Sequence, residues 1–329
     1  MKAIVCTKYG SPDVLQFKEV EKPTPKDDEV LVKIHAASVN AYDWHLLTAD
    51  IFLVRLMGGG LLKPKNTRLG ADIAGRVEAV GRNVKQFQQG DDVFGDLAGH
   101  GNGSFAEYVS ASESAFALKP ANLSFEEAAA VPMAATTALQ GLRDQGRIQP
   151  GQKVLIQGAS GGVGTFAVQI AKSFGAEVTA VCSTRNVDLA RSLGAHHVID
   201  YTKEDFTKSG QQYDLILGVN GYHSLSAYKF ALAPQGIYVM AGGSTAQIFQ
   251  AMLLGSWMSK AGGKKMGGVS ARPNKVDLVV MKVLLETGKV VPVIDRRYPL
   301  SATAEALRYL GEGHARGKIV ITVEHSSGT

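Results

Sequence analysis

Apolar and polar residues alternate along 30–34, 73–81 and 105–109, with glycine, asparagine and other turn formers between these runs. A period of two predicts strands with one buried face. The opening run Met1–Cys6 and residues 91–95 add further strand-like segments. The chain up to about residue 125 therefore reads as a compact, barrel-like β domain. At Ser124 the pattern changes. Ser124 followed by Glu127 forms the signature of a capping box, in which the serine caps the helix start and the glutamate reaches back to it. From about residue 152, short apolar runs at 154–156, 178–181, 198–199, 215–217 and 237–240 alternate with helix-length stretches. Strands that are apolar on both faces, separated by helices, predict a parallel sheet covered on both sides. A periodic helix at 275–287, a shorter one at 302–310 and a strand at 318–323 return to the first style. The expected division is a discontinuous domain of 1–125 and 273–329 around a domain of 126–272.

Composition narrows the classes. A chain of 329 residues with 45% hydrophobic and 20% charged residues has material for two ordinary cores. Cys6 and Cys182 are the only cysteines, too few for a disulfide framework or a four-thiolate metal site, so a reduced, cytoplasmic setting is expected. The net charge of +5 is dispersed rather than clustered, which argues against a nucleic-acid partner. The start shows no leader pattern and no apolar run reaches a membrane-spanning length. Two apolar segments, 51–62 and 248–258, read equally as a mobile substrate lid and as ordinary core or dimer contact. With Lys63, Lys65, Lys264 and Lys265 beside them, membrane contact is at most peripheral.

The sharpest local signal is the run from Gln157 to Gly164, with Ala159, Gly161 and Gly164 at the spacing of a dinucleotide fingerprint. It follows the strand at 154–156 and opens a helix. Small residues let the chain turn tightly and bring the main chain of Ser160, Gly161, Gly162 and Val163 up to a pyrophosphate, while the helix start adds partial positive charge. NAD sites place an acid about 20 residues further on to hold the ribose hydroxyls. Here that strand ends in Ser183, Thr184 and Arg185, with no acid. Ser183 can donate a hydrogen bond and Arg185 can pair with a 2′-phosphate. Tyr201, which closes the next strand, can complete the pocket. The expected cofactor is NADPH.

Taken together, residues 12–15, 38–43, 70–75, 80–81, 90–95, 159–164, 193–195 and 314–318 resemble the medium-chain dehydrogenase/reductase superfamily over nearly the whole chain, within its quinone oxidoreductase branch. The resemblance implies an α/β protein with a Rossmann doubly wound parallel sheet and a discontinuous GroES-like β-barrel catalytic domain. Zinc-dependent members carry a cysteine ligand where this chain has Asn40, and a Gly-His-Glu run where it has Gly70-Ala71-Asp72. Without thiolate or imidazole there, no metal is expected. His45 and His100 are weighed as ligands with Asp43 and set aside for lack of supporting spacing.

The resemblance also assigns roles. Asn40 and Asp43 lie beside the nicotinamide, with Asn40 orienting a carboxamide or substrate carbonyl and Asp43 organising the site. Tyr42 is a weak acid candidate, because neighbours on an extended segment face opposite ways. Thr137, Asn220, Ala241, Gly242, Gly243, Arg316 and Lys318 contact the cofactor, although Lys318 also reads simply as the first residue of the last strand. Without a metal to hold an alkoxide, reduction of a quinone or α,β-unsaturated carbonyl is expected over simple alcohol chemistry. The alternatives are reduction of 2-alkenals or other carbonyls and a non-catalytic NADPH-binding protein. By analogy the protein forms a homodimer through the edge of the parallel sheet, with 233–243 as the place.

Overall fold

The computed structural model describes residues 1–50, 60–242 and 263–325. The segment 248–258 and Gly243 lie outside the described residues, as does most of 51–62. In chain order the strands are β1 (Lys2–Val5), β2 (Gln16–Glu19), β3 (Glu29–Val39), β4 (Asp72–Val80), β5 (Asp92–Asp96), β6 (Tyr108–Ser112) and β7 (Phe116–Leu118). Then follow β8 (Lys153–Gln157), β9 (Glu177–Cys182), β10 (His197–Asp200), β11 (Tyr213–Gly218), β12 (Leu232–Met240), β13 (Lys265–Gly268), β14 (Ile294–Pro299) and β15 (Lys318–Thr322).

Two compact units emerge: Met1–Met133 with Pro273–Glu286 and Pro292–Thr329, and Ala134–Arg272 with Thr287–Val291. The division therefore falls later than the 125/126 expected from the change of pattern. The capping-box helix Phe125–Ala129 packs on β3 and β4 and so belongs to the first unit. Its cap is formed as expected, with the Ser124 amide donating to the Glu127 carboxylate at 2.8 Å and the Glu127 amide to the Ser124 hydroxyl at 3.2 Å.

The first unit is a sheet in the order β14-β15-β3-β4-β5-β7, with β6 also paired to β3 and β1-β2 as a separate hairpin. All pairs but β14-β15 are antiparallel. The eleven-residue β3 pairs with β6 along its first half and with β15 along its second. Val30, Val32, Ile34, Ile73, Phe116 and Ile319 close its apolar core. The strand expected over 105–109 starts at Tyr108 instead, because Ala106 bridges to Ala3 and Phe105 accepts from the Ile4 amide.

The second unit is a six-stranded, all-parallel sheet in the order β10-β9-β8-β11-β12-β13. Counted along the unit this is 3-2-1-4-5-6, the doubly wound order whose reversal lies between its first and fourth strands. Residues 154–156 and 215–217 are fully buried, as strands covered on both faces must be. Within the segment 233–243, residues 233–240 belong to β12 and are not at the sheet edge: β12 is flanked by β11 and by β13, a strand absent from the pattern of apolar runs. Lys265–Gly268 ends in two glycines and carries a single apolar side chain, so it has no strand pattern to read, yet it pairs in parallel register with 237–240. Cys6 and Cys182 are both buried free thiols. Among the described residues no helix is long and apolar enough to cross a membrane.

Candidate active site and cofactor site

In the second unit, β8 runs into the glycine loop and the helix Gly162–Ser173. The loop thus sits at the carboxyl end of β8, at the reversal of strand order, where such sheets hold ligands. Gly161 is the N-cap, with no side chain capping the helix, so the amides of its first turn keep their outward direction. Gly164 is required by packing: a Cβ there would stand 2.0 Å from the Gly158 carbonyl oxygen. Gly242 answers the same constraint after β12, where a Cβ would meet the Val219 carbonyl oxygen at 2.3 Å. Asn220 and Ala241 follow the ends of β11 and β12, bound to the sheet through Val219 N to Gln157 O at 3.0 Å and Ala241 N to Gly218 O at 2.8 Å. Small residues and a helix start at the switch point fit a dinucleotide. Thr137, buried on the helix Pro132–Gln140, belongs to the same unit.

Ser183 follows β9, and the exposed Arg185 lies in the short turn after it. Tyr201 follows β10 and is 49% exposed, its ring edge-on to Tyr222 at 6.0 Å. One acid does lie close in sequence, Asp200, but it is saturated. Thr184 donates to it at 2.6 Å, the Thr202 hydroxyl at 2.7 Å and the Thr202 amide at 3.0 Å, with Lys203 at 3.3 Å. The Thr184 hydrogen bond above all holds its carboxyl well below the usual range. Sequence reasoning misses Asn186, a buried carboxamide that joins Ser160 to Ser183.

The first unit holds a different kind of site. Lys318, at the start of β15, is 3% exposed, and its ammonium donates to Asn40 Oδ1, to the Val39 carbonyl at 3.2 Å and to Asp72 Oδ2 at 3.3 Å. Three protein acceptors account for its three N–H groups. The sequence grouped Lys318 with the cofactor contacts; the structure turns it inward as a counter-ion. Asp72 Oδ2 also accepts from Ser38 Oγ at 2.8 Å and Asn40 Nδ2 at 2.9 Å, and its Oδ1 accepts from the Met133 amide at 2.8 Å. Asp72 and Ser38 are absent from the sequence-derived site. Their one signal is a lone acid in the apolar run 71–74 paired across the sheet with Ser38.

Asn40 precedes the helix Ala41–Thr48. Its main-chain amide donates to Asp43 Oδ2 at 2.9 Å, so Asp43 braces the residue from within the helix. Asp43 is fully buried. Burial pushes its carboxyl up to about 7, helped by the nearby Asp72 charge and opposed by the Asn40 hydrogen bond. Asp96 is pushed up as well, by burial and then by Asp72. The single Lys318 ammonium, paired to Asp72, does not also balance Asp43 and Asp96 in ionised form, so those two carboxyls are raised.

Tyr42 lies on a helix, not on an extended segment, so strand alternation does not orient it; its hydroxyl reaches Asn102 Oδ1 at 3.4 Å, and burial raises its pKa. His45 pairs with Asp50 at 2.8 Å, not with Asp43. Among the described residues no three histidine, cysteine, aspartate or glutamate side chains are grouped to hold a metal ion. Arg316 is exposed in the first unit, its amide donating to Asp295 at 3.0 Å.

Residues 26–121 match the alcohol dehydrogenase GroES-like domain, and residues 193–321 match the zinc-binding dehydrogenase family. Over 98% of its length the chain is 38% identical to the 2-methylene-furan-3-one reductase of Solanum lycopersicum, covering 79% of that protein. It is 33% identical, with the same two coverages, to the chloroplastic NADPH-dependent alkenal/one oxidoreductase of Arabidopsis thaliana. Among solved structures it superposes on the quinone oxidoreductase from Coxiella burnetii with a TM-score of 0.87 and 31% identity, over 98% of this chain and 99% of that one. With a parallel sheet in dinucleotide-binding order, a GroES-like domain and relatives of this kind, the chain belongs to the quinone oxidoreductase branch of the medium-chain dehydrogenase/reductase superfamily of oxidoreductases.

Proposed function

We propose that the chain reduces a quinone or an α,β-unsaturated carbonyl with NADPH and without zinc. The observation that carries this reading is the Lys318–Asn40–Asp72 cluster. Where zinc-dependent members place ligands, this chain holds a carboxamide and a carboxylate that both receive an internal ammonium. That donor set neutralises a cation the protein already carries.

The chemistry follows from the same contacts. Lys318 loads the Asn40 carbonyl oxygen, which draws electrons from the amide nitrogen and strengthens its N–H groups as donors. One of those hydrogens goes to Asp72, and the other remains for an acceptor outside the cluster. A donor of this kind stabilises the oxyanion that develops when a hydride adds to a conjugated acceptor and the electron pair moves to its oxygen. Bound NADPH supplies that hydride, and a proton from water or a hydroxyl completes the hydroquinone or saturated ketone. Tyr42, with its pKa raised, keeps its hydroxyl proton past neutrality. Asp43, sealed from solvent, holds the Asn40 main chain rather than relaying protons to water. The preference for NADPH rests on the acid-free end of β9, on Arg185, and on the saturation of Asp200. Two buried thiols that are not bridged suit a reducing, cytoplasmic setting.

The test is nicotinamide oxidation by purified, chelator-treated protein with a short quinone, an alkyl vinyl ketone, a 2-alkenal and a simple aldehyde. Turnover of the quinone or enone is expected. Turnover of the simple aldehyde alone, restored by zinc, would overturn the reading. Cofactor binding with no turnover on any acceptor would favour a binding protein.

A further inference from the structure

Asn186 closes the turn after β9 and is 4% exposed. Its Nδ2 donates to Ser160 Oγ at 3.0 Å and to Ser183 Oγ at 3.2 Å, and its Oδ1 is buried with no hydrogen-bond partner. Its main-chain amide donates to the Ser183 carbonyl at 2.9 Å, which ties the turn to the strand end. Ser160 belongs to the glycine loop, and Ser183 stands where the second strand of a dinucleotide fold meets the ribose. One buried carboxamide thus joins the two places that flank the 2′ position of a bound dinucleotide.

Hydrogen-bond polarity carries the argument. A serine hydroxyl has one hydrogen to give and lone pairs to receive. The Asn186 NH2 group is used on the two oxygens, so each hydroxyl is an acceptor toward Asn186 and its own hydrogen points elsewhere. Two hydroxyls fixed as outward donors, beside Arg185, suit a group rich in acceptor oxygens and poor in hydrogens. A phosphate monoester is such a group. A ribose 2′-hydroxyl needs an acceptor to receive its proton, which NAD sites supply with an acid; here each serine oxygen has one of its two lone pairs already taken by Asn186 and is a neutral, weaker acceptor than a carboxylate.

We propose that Asn186 is a specificity-determining positioning residue: by donating to Ser160 and Ser183 it sets both hydroxyls as donors to the cofactor's 2′-phosphate. The inference rests on the NADPH reading above and deepens it. Asn186 touches neither phosphate nor nicotinamide in this role and acts through the two serines.

The experiment measures KM and kcat for NADPH and NADH in the wild type, N186D, N186L, the S160A/S183A double variant, and N186D in that double background. Aspartate keeps the shape of asparagine but only accepts, so it turns both hydroxyl hydrogens inward. N186D is expected to raise KM for NADPH roughly tenfold or more, as befits lost charge-assisted donors, with kcat and the KM for NADH little changed. N186L, which leaves the serines free to rotate, is expected to fall between N186D and wild type. In the S160A/S183A background, N186D should add little. A wild type that favours NADH would overturn both the cofactor reading and this inference. A wild type that favours NADPH, with N186D retaining that preference, would sink the inference alone. So would an equal rise in KM for both cofactors, or an N186D effect undiminished without the serines, which would mark a structural or purely electrostatic role.

Discussion

In the second unit the groups proposed to face the cofactor are main-chain amides at a helix start, aimed by glycines and a parallel strand. In the first unit the polar centre is made of side chains of Ser38, Asn40, Asp43, Asp72 and Lys318, gathered from β3, β4, β15 and one helix and packed away from water. The first arrangement is local and costs little to keep charged, because its charge is a dipole and the cationic side chain Arg185 is exposed. The second is a closed balance of opposite charges in low dielectric, where removing one member leaves the others uncompensated. The same electrostatic principle therefore gives two sensitivities. The cofactor end should respond in affinity and specificity, and the polar centre should respond in stability and pH.

The largest expected effect is at the polar centre. Lys318→Met strips Asp72 of its ammonium at a site where the two side chains are 3% and 0% exposed, and should cost about 3–5 kcal/mol of stability, read by denaturant unfolding. Lys318→Met combined with Asp72→Asn should recover a good part of that loss. If the single variant is as stable as wild type, the contrast between the two regions fails.

Asp43 sharpens the contrast through pH. A carboxyl raised to about 7 in the folded state keeps its proton where the unfolded chain, with a pKa of about 3.9, has released it. Stability therefore falls as pH climbs between those values, with a slope from this group of up to about 1.4 kcal/mol per pH unit. Asp43→Asn should flatten that part of the profile. An unchanged slope would mean that Asp43 ionises freely in the fold.

The smallest of the three effects lies at the cofactor end. Arg185→Ala should leave stability within about 0.5 kcal/mol and weaken NADPH by about 1.5–3 kcal/mol, the worth of hydrogen bonds to a charged group, with NADH unaffected. Because Arg185 is exposed, added salt should shrink the difference between variant and wild type. Steady-state KM values at two ionic strengths decide this.

The two regions also differ in how far they can be read without coordinates. The glycine loop, the apolar parallel strands and the Ser124–Glu127 cap are written in contiguous residues, and the capping-box helix and the dinucleotide loop form where the pattern puts them. The strand order is not local, and β13 has no hydrophobic period to betray it. The polar centre is still less visible. Lys318 begins an apolar strand and looks like a solvated end, because what buries it, Asn40 and Asp72, lies more than two hundred residues earlier in the chain. Tyr42 reads as part of a strand-like segment because the apolar strand β3 runs directly into it; the helix that begins after Asn40, with the Asn40 amide held by Asp43, is only eight residues long. Asn186 escapes notice for a simpler reason. Only the two distances to Ser160 and Ser183 distinguish it from any turn asparagine.

The most direct test of the account is the ratio of kcat/KM for NADPH to that for NADH, measured on chelator-treated protein with a conjugated ketone as acceptor and repeated after zinc is added. The account predicts a ratio well above one and no gain from zinc. A ratio at or below one, or activity that appears only with zinc, would contradict it.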